Sequence, residues 1–157
     1  MKKLLLILPK SERGYWGKVS KSGKAGFVRL SLPVVAALTP SHWDVEILDA
    51  RTTLVDFDKK ADLVGITAYT VEIPGAYAIA DGFRNKGIKV VMGGIHVSAL
   101  PDEALAHADS VVVGEAESVW EGLLRDLEGG ELKPVYRPEG LIDMTNMTVP
   151  RRDLLNR

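Results

Sequence analysis

The chain has 157 residues, 46% of them hydrophobic, with 20 Lys+Arg against 21 Asp+Glu and a formal charge of −1. That length suits one domain with a sizeable core, and the balanced charge argues against a basic field for nucleic acid or an anionic membrane. There is no cysteine, which excludes disulfides, thiolate chemistry, Cys-ligated zinc and any iron–sulfur cluster held by these residues.

The opening "MKKLLLILPK" has the charged start of a signal peptide. Its apolar stretch is too short, however, and "PKSER" stands where a small-residue cleavage site belongs. Residues Lys3–Leu8 read as a buried first strand. No apolar run approaches the ~20 residues that span a bilayer, so a cytoplasmic location is expected.

Pro9–Phe27 reads as a long loop rich in Gly, Lys and Ser; loops of this length are usually functional or disordered. Its "GKVSKSGKAG" departs from a phosphate-binding P-loop. Gly17 and Gly23-Lys24 stand one residue too far apart, and Ala25 replaces the hydroxyl that would hold magnesium. Lys18, Lys21 and Lys24 read as a solvated face. Tyr15 and Trp16 either cover a flat ligand or anchor the loop on the core.

A helix is predicted at Leu30–Leu38 and strands at Asp44–Leu48 and Asp62–Thr67. After the third strand, "GITAYTVEIP" places Thr67 and Thr70 at its end, where Thr70 either caps the next helix or meets a ligand. That helix is predicted at Ile73–Lys86, with Ile73, Ala76, Tyr77, Ala80 and Phe83 on one face. Pro74 suits its first turn, and Gly87 suits its end.

Strand four, Ile88–Met92, runs into "GGIHVSALPDEAL". One glycine at a strand end is ordinary turn chemistry, but two in succession imply that a ligand or another backbone comes close. His96 is expected to hydrogen-bond or to serve structurally rather than to ligate a metal, since it has no partner ligands nearby in sequence. Ser98 suits a cap for a short helix at Pro101–Ala106. Asp102 and Glu103 suit that helix's first turn. Strand five is Ser110–Val113, followed by "GEAES" and a last helix at Ala116–Leu127. Glu115 and Glu117 lie near its start, where acids suit the dipole; a carboxylate there could also accept from ligand amides.

Runs such as "LLLIL" and "SVVVG" are apolar throughout, as in strands buried on both faces of a parallel sheet. The expected fold is therefore a doubly wound, five-stranded α/β domain of flavodoxin-like order 2-1-3-4-5 over residues 1–131. Ligands in such sheets bind outside the carboxyl ends of the strands. Residues 132–157 read as a linker or tail that stops as if continued elsewhere. Three readings remain from the residues: a cofactor-binding module, a structural or docking domain without a cofactor, and a flavin- or nucleotide-binding domain.

The segments "DLVGITAYT", "VVMGGIHVSALPDEAL" and "ADSVVVGEAE", in that order and spacing, resemble the N-terminal cobalamin-binding domain of B12-dependent radical SAM enzymes. "PRRDLL" at Pro150–Leu155 is similar to the linker that precedes the radical SAM barrel in that family. The resemblance covers nearly the whole chain. It implies a Rossmann-like cobalamin site formed by Ser11, Arg13, Gly14 and Tyr15 in the first loop, with Thr67, Tyr69 and Thr70 after strand three. Gly93, Gly94, His96 and Ser98 after strand four and Gly114 and Glu115 after strand five would complete it, with no catalytic residue in this chain. It further implies a [4Fe–4S] cluster and S-adenosylmethionine in a downstream domain, where methyl transfer or related radical chemistry would occur. Methionine synthase-type domains carry Asp-x-His-x-x-Gly after the first strand. Here that loop reads "PKSERGYWG", so cobalamin would be held with its own base displaced and without a histidine from this loop.

Overall fold

The computed structural model describes residues 1–11, 29–140, 145 and 147–155. Six strands form one sheet: β1 (Lys2–Leu8), β2 (Trp43–Asp49), β3 (Leu63–Thr67), β4 (Lys89–Gly93), β5 (Ser110–Val112) and β6 (Val135–Tyr136). Their order is β2-β1-β3-β4-β5-β6, and every pairing is parallel. The doubly wound class and the predicted order hold, with a sixth strand added beyond the five expected.

The alternation hidden inside the apolar runs explains why two helical layers can cover this sheet. Leu5 and Ile7 of β1, Val64 and Ile66 of β3, and Val90 and Met92 of β4 point to one side. There they pack with Ile73, Ala76, Ala80 and Phe83 of α2 (Ile73–Asn85) and with Val97 of α3 (Ile95–Ala99). Leu4, Leu6 and Leu8, with Leu63, Val91 and Val112, point to the other side. They meet Leu32 and Ala36 of α1 (Ser31–Leu38), and Trp120, Leu123 and Leu124 of α5 (Trp120–Gly129). A period of two puts successive residues on opposite faces, so a strand covered on both sides must be apolar at every position.

Three local features differ from the sequence expectation. After Gly94 the chain forms the extra helix α3 before α4 (Pro101–Leu105). The last helix begins at Trp120 rather than Ala116, because Ala116–Val119 forms a turn in which the Ala116 carbonyl accepts from the Trp120 amide at 2.8 Å. Gly130 ends it at φ +77°, the left-handed conformation that glycine adopts without a Cβ penalty. Past Leu132 the chain adds β6, where the Pro134 and Tyr136 carbonyls accept from the Val111 and Val113 amides at 2.8 and 2.9 Å. Further on, the Arg151 amide donates to the Pro33 carbonyl of α1 at 2.9 Å. Leu154 and Leu155 pack against the α1/α5 layer. Among the described residues no helix is long and apolar enough to cross a membrane.

Candidate functional site at the carboxyl edge of the sheet

A cavity of about 220 Å³ lies between the sheet and the α1/α5 layer, at the carboxyl ends of the strands. Leu6, Gly65, Val91, Gly93 and Val112 form its sheet side. Ser31, Leu32 and Val35 of α1 face them, as do Ala116, Glu117 and Trp120 before and on α5. Thr67, Gly94, Gly114 and Glu115 complete the rim. The lining is mostly apolar, so the part of an occupant that enters the slot would be largely apolar, with its polar groups meeting the rim.

The two glycines after β4 do different things. A Cβ on Gly93 would meet nothing nearer than Val112 at 3.8 Å, so that direction opens into the cavity. A Cβ on Gly94 would lie 2.8 Å from the Ala68 carbonyl oxygen and 2.9 Å from the Thr67 hydroxyl, and Gly94 sits at φ +103°. The tight neighbour there is the chain's own backbone. Of the two causes the sequence leaves open, Gly93 has the space for a ligand and Gly94 the close backbone approach.

Ser98 does not cap α4, whose preceding residue, Leu100, makes no side-chain cap. Its hydroxyl instead accepts from the Gly114 amide at 2.9 Å, tying the loop after β5 to α3. Nor does Thr70 cap α2: it begins a 3-10 turn, Thr70–Glu72, and its hydroxyl lies 3.2 Å from His96 Nδ1. The other nitrogen, His96 Nε2, is 3.3 Å from Glu103 Oε1, which also accepts from the Tyr77 hydroxyl at 2.9 Å. The Tyr77 hydrogen bond, and then that of His96, holds the Glu103 carboxyl below its usual range. Burial, and then the bond to Glu103, pushes the Tyr77 hydroxyl up. His96 therefore faces a hydroxyl and a carboxylate. Among the described residues no three His, Cys, Asp or Glu converge as a metal site.

Tyr69 is half exposed, with the Arg29 guanidinium 4.0 Å from its ring centroid, an arrangement that favours the cation over the ring face. Arg29 also grips Glu72 with both terminal nitrogens. Glu72 is 3% exposed and accepts from the Tyr69 amide at 3.0 Å. A buried carboxylate requires such pairing, and this one fixes the start of the segment leading into α1 against the rim after β3. The Ser11 hydroxyl oxygen is buried without a hydrogen-bond partner among the described residues. Arg13, Gly14 and Tyr15, with Trp16 and the glycine- and lysine-rich stretch, lie outside the described residues.

Several residues of the site carry no separate expectation from sequence: Gly65, the α1 wall and Trp120. Gly65 did leave a signal, a glycine inside the apolar strand "DLVGIT", where close approach is the usual cause. A Cβ there would come 2.7 Å from Leu6 Cδ2 and 3.8 Å from the Trp120 ring. Trp120 Nε1 donates to the Thr39 hydroxyl at 2.9 Å, and that hydroxyl donates to the Val35 carbonyl at 2.8 Å. One short chain of bonds thus joins the two helical walls.

A larger hollow, about 520 Å³, lies at the opposite edge beside Arg84, Lys89 and Asp109. Its charges neutralise one another: Asp109 pairs with Lys89 at 2.8 Å and Arg84 at 3.5 Å. Its lining is mostly polar, with Ile88 the one large apolar side chain among the described residues, so it lacks the apolar character of a ligand site.

The B12 binding domain family matches residues 27–124 of the chain. The chain is 42% identical over 116 residues to the bacteriochlorophyllide d C-8(2)-methyltransferase of Chlorobaculum tepidum, covering 73% of this chain and 26% of that protein. It is 40% identical over 151 residues to the same organism's bacteriochlorophyllide d C-12(1)-methyltransferase, covering 95% and 32%. An uncharacterized methyltransferase of Pyrococcus horikoshii is 30% identical over 181 aligned positions, covering 98% and 39%. The chain thus spans about a quarter to two fifths of the length of these relatives.

Proposed function

The chain belongs to the B12 binding domain family, and from that premise we propose that it is a cobalamin-holding module, with the cofactor's nucleotide tail in the slot beneath α1 and α5. The open space beyond Gly93 carries this reading. A volume of about 220 Å³ is smaller than the roughly 300–1,000 Å³ that enclose a whole drug-sized ligand. It suits an appendage, with the macrocycle left outside. The exposed side chains of Tyr69, Val71, Ile95 and Leu100, on the segments after β3 and β4, offer apolar surface to a flat ring system. The Thr67 hydroxyl and the Ser11 hydroxyl would pair with polar groups of the cofactor, since buried polar atoms need partners. Tyr69, Thr70, His96 and Glu115 stand at the same edge; Gly94, Ser98 and Gly114 shape the loops that carry them.

Bound cobalamin supplies a cobalt centre able to carry a methyl group. The protein's share is to hold it oriented and shielded; a tail held in the slot would leave its base off the cobalt, and "PKSERGYWG" has no histidine to take that place. The methyltransferase relatives support a partner domain in a longer protein. That partner would be a radical SAM domain with a [4Fe–4S] cluster and S-adenosylmethionine. Residues 132–157 would lead toward it from a module over residues 1–131, contributing β6 on the way. No cysteine is present, so the cluster must sit elsewhere.

The decisive experiment is retention of hydroxocobalamin through desalting, read by visible absorbance. The wild-type chain should stay red with a base-off spectrum. Gly93→Leu should lose the colour while keeping its far-UV circular dichroism, because the new side chain fills the slot and its Cβ meets Val112 only at an ordinary 3.8 Å. Equal retention by the variant overturns the slot. A wild-type chain that retains nothing points to a corrin-free docking domain, and a yellow one to a flavin site.

A further inference from the structure

We infer that Tyr77, Glu103 and His96 form a positioning relay that turns the Thr70 hydroxyl into a hydrogen-bond acceptor. This part of the rim would then select a ligand edge bearing amide N–H groups over one bearing carboxylates. The ligand's identity rests on the cobalamin reading; the relay itself does not.

Glu103 Oε1 accepts a hydrogen bond from the Tyr77 hydroxyl at 2.9 Å, and the Glu103 carboxyl is held in the ionised form by Tyr77 and His96. An ionised carboxylate can only accept. The atom 3.3 Å away, His96 Nε2, must therefore be the nitrogen that carries the proton. In a neutral imidazole that leaves Nδ1 with a bare lone pair. Thr70 Oγ1 lies 3.2 Å from Nδ1, so the hydroxyl must donate to it. Threonine has one such proton and two lone pairs. With the proton committed inward, exposed Thr70 presents only lone pairs outward.

The residues involved come from separate elements: Tyr77 from α2, Thr70 from the turn before it, His96 from α3 and Glu103 from α4. The His96 side chain is 11% exposed, which restricts it to this geometry. A ligand amide N–H would find an acceptor there. A carboxylate would meet lone pairs with no proton between, a mismatch that an unselective hydroxyl would avoid by rotating. Cobalamin carries amides around its periphery, so the relay matches that edge chemistry.

The test has two arms. In the full chain labelled with ¹⁵N, long-range proton–nitrogen spectra at mildly alkaline pH report which His96 nitrogen is protonated, with His96→Asn identifying the signals. Protonated Nε2 and bare Nδ1 are expected; protonated Nδ1 overturns the relay whether or not a corrinoid binds. In the second arm, dissociation constants are measured for hydroxocobalamin and for its isomeric monocarboxylic acids, each with one peripheral amide hydrolysed. The wild-type chain should favour the amide over one of the acids by about tenfold. That ratio should shrink to about twofold in Thr70→Val and in Glu103→Gln, with circular dichroism unchanged. A ratio unaltered in both variants overturns the selection. If no corrinoid binds the wild-type chain, the cobalamin reading fails and the nitrogen spectra alone decide the relay.

Discussion

At Gly94 the backbone adopts φ +103°, and the position of the absent Cβ is already crowded by the Ala68 carbonyl. A left-handed or otherwise positive φ costs an L-residue roughly 1–2 kcal/mol, and the contact with a backbone oxygen adds to it because backbone cannot swing away. Gly94→Ala should therefore destabilise the fold by at least about 2 kcal/mol. One residue earlier, Gly93→Ala should be neutral or slightly stabilising, because strand glycine carries excess unfolded-state entropy and its Cβ has room. Urea unfolding of the two variants checks this, and equal losses would contradict the division of roles. Sequence shows both glycines but not which neighbour stands beside each, since that depends on where β3 ends relative to β4. The same limit hides Glu72. Its partner, Arg29, is 43 residues away, and an acid beside a helix start reads as an ordinary dipole contact.

Among the elements, strands β1 to β5 were legible as short apolar runs bounded by turn residues, helices α1, α2 and α5 as longer apolar patterns, and α4 by its proline and acidic first turn. The edge strand β6 was not. Two residues display no alternation, and its hold depends on side chains from elsewhere. The Tyr136 hydroxyl donates to Asp126 of α5 at 2.8 Å and accepts from the Lys133 amide at 3.1 Å, while Lys133 Nζ lies 3.1 Å from the same carboxylate. The Tyr136 hydrogen bond, followed by Lys133, holds the Asp126 carboxyl below its ordinary 3.8. A depressed folded-state value means the unfolded chain binds the proton first. The stabilisation is thus present above 3.8 and lost as pH falls through the lower folded value. Asp126→Asn should flatten the acid limb of a melting-temperature profile while changing little of its shape near neutrality; an unchanged acid limb would refute the link. α3 escaped notice for a related reason, being five residues long behind a glycine pair that reads as a turn. The carboxyl-edge loops were legible in advance because parallel crossovers place them together. The α1 wall and Trp120 were not, because which helices cover that face of the sheet depends on packing between segments far apart in sequence.

For the molecule as a whole, the slot interrupts one of the two apolar layers. Leu6, Val91 and Val112 belong to the layer beneath α1 and α5, yet they also border the gap. A ligand that binds only the folded state stabilises it by about 2.7 kcal/mol at one hundred times its dissociation constant. For a chain of this size that raises the melting temperature by roughly 5–10 °C. Calorimetry with saturating hydroxocobalamin should show such a rise in the wild-type chain and none in Gly93→Leu; a rise of equal size in both would place the ligand elsewhere. A guest in the slot would be a missing piece of the interior. The polypeptide leaves one layer of its own packing open beside Gly93, and a ligand entering there would serve as an interior residue that the gene does not encode.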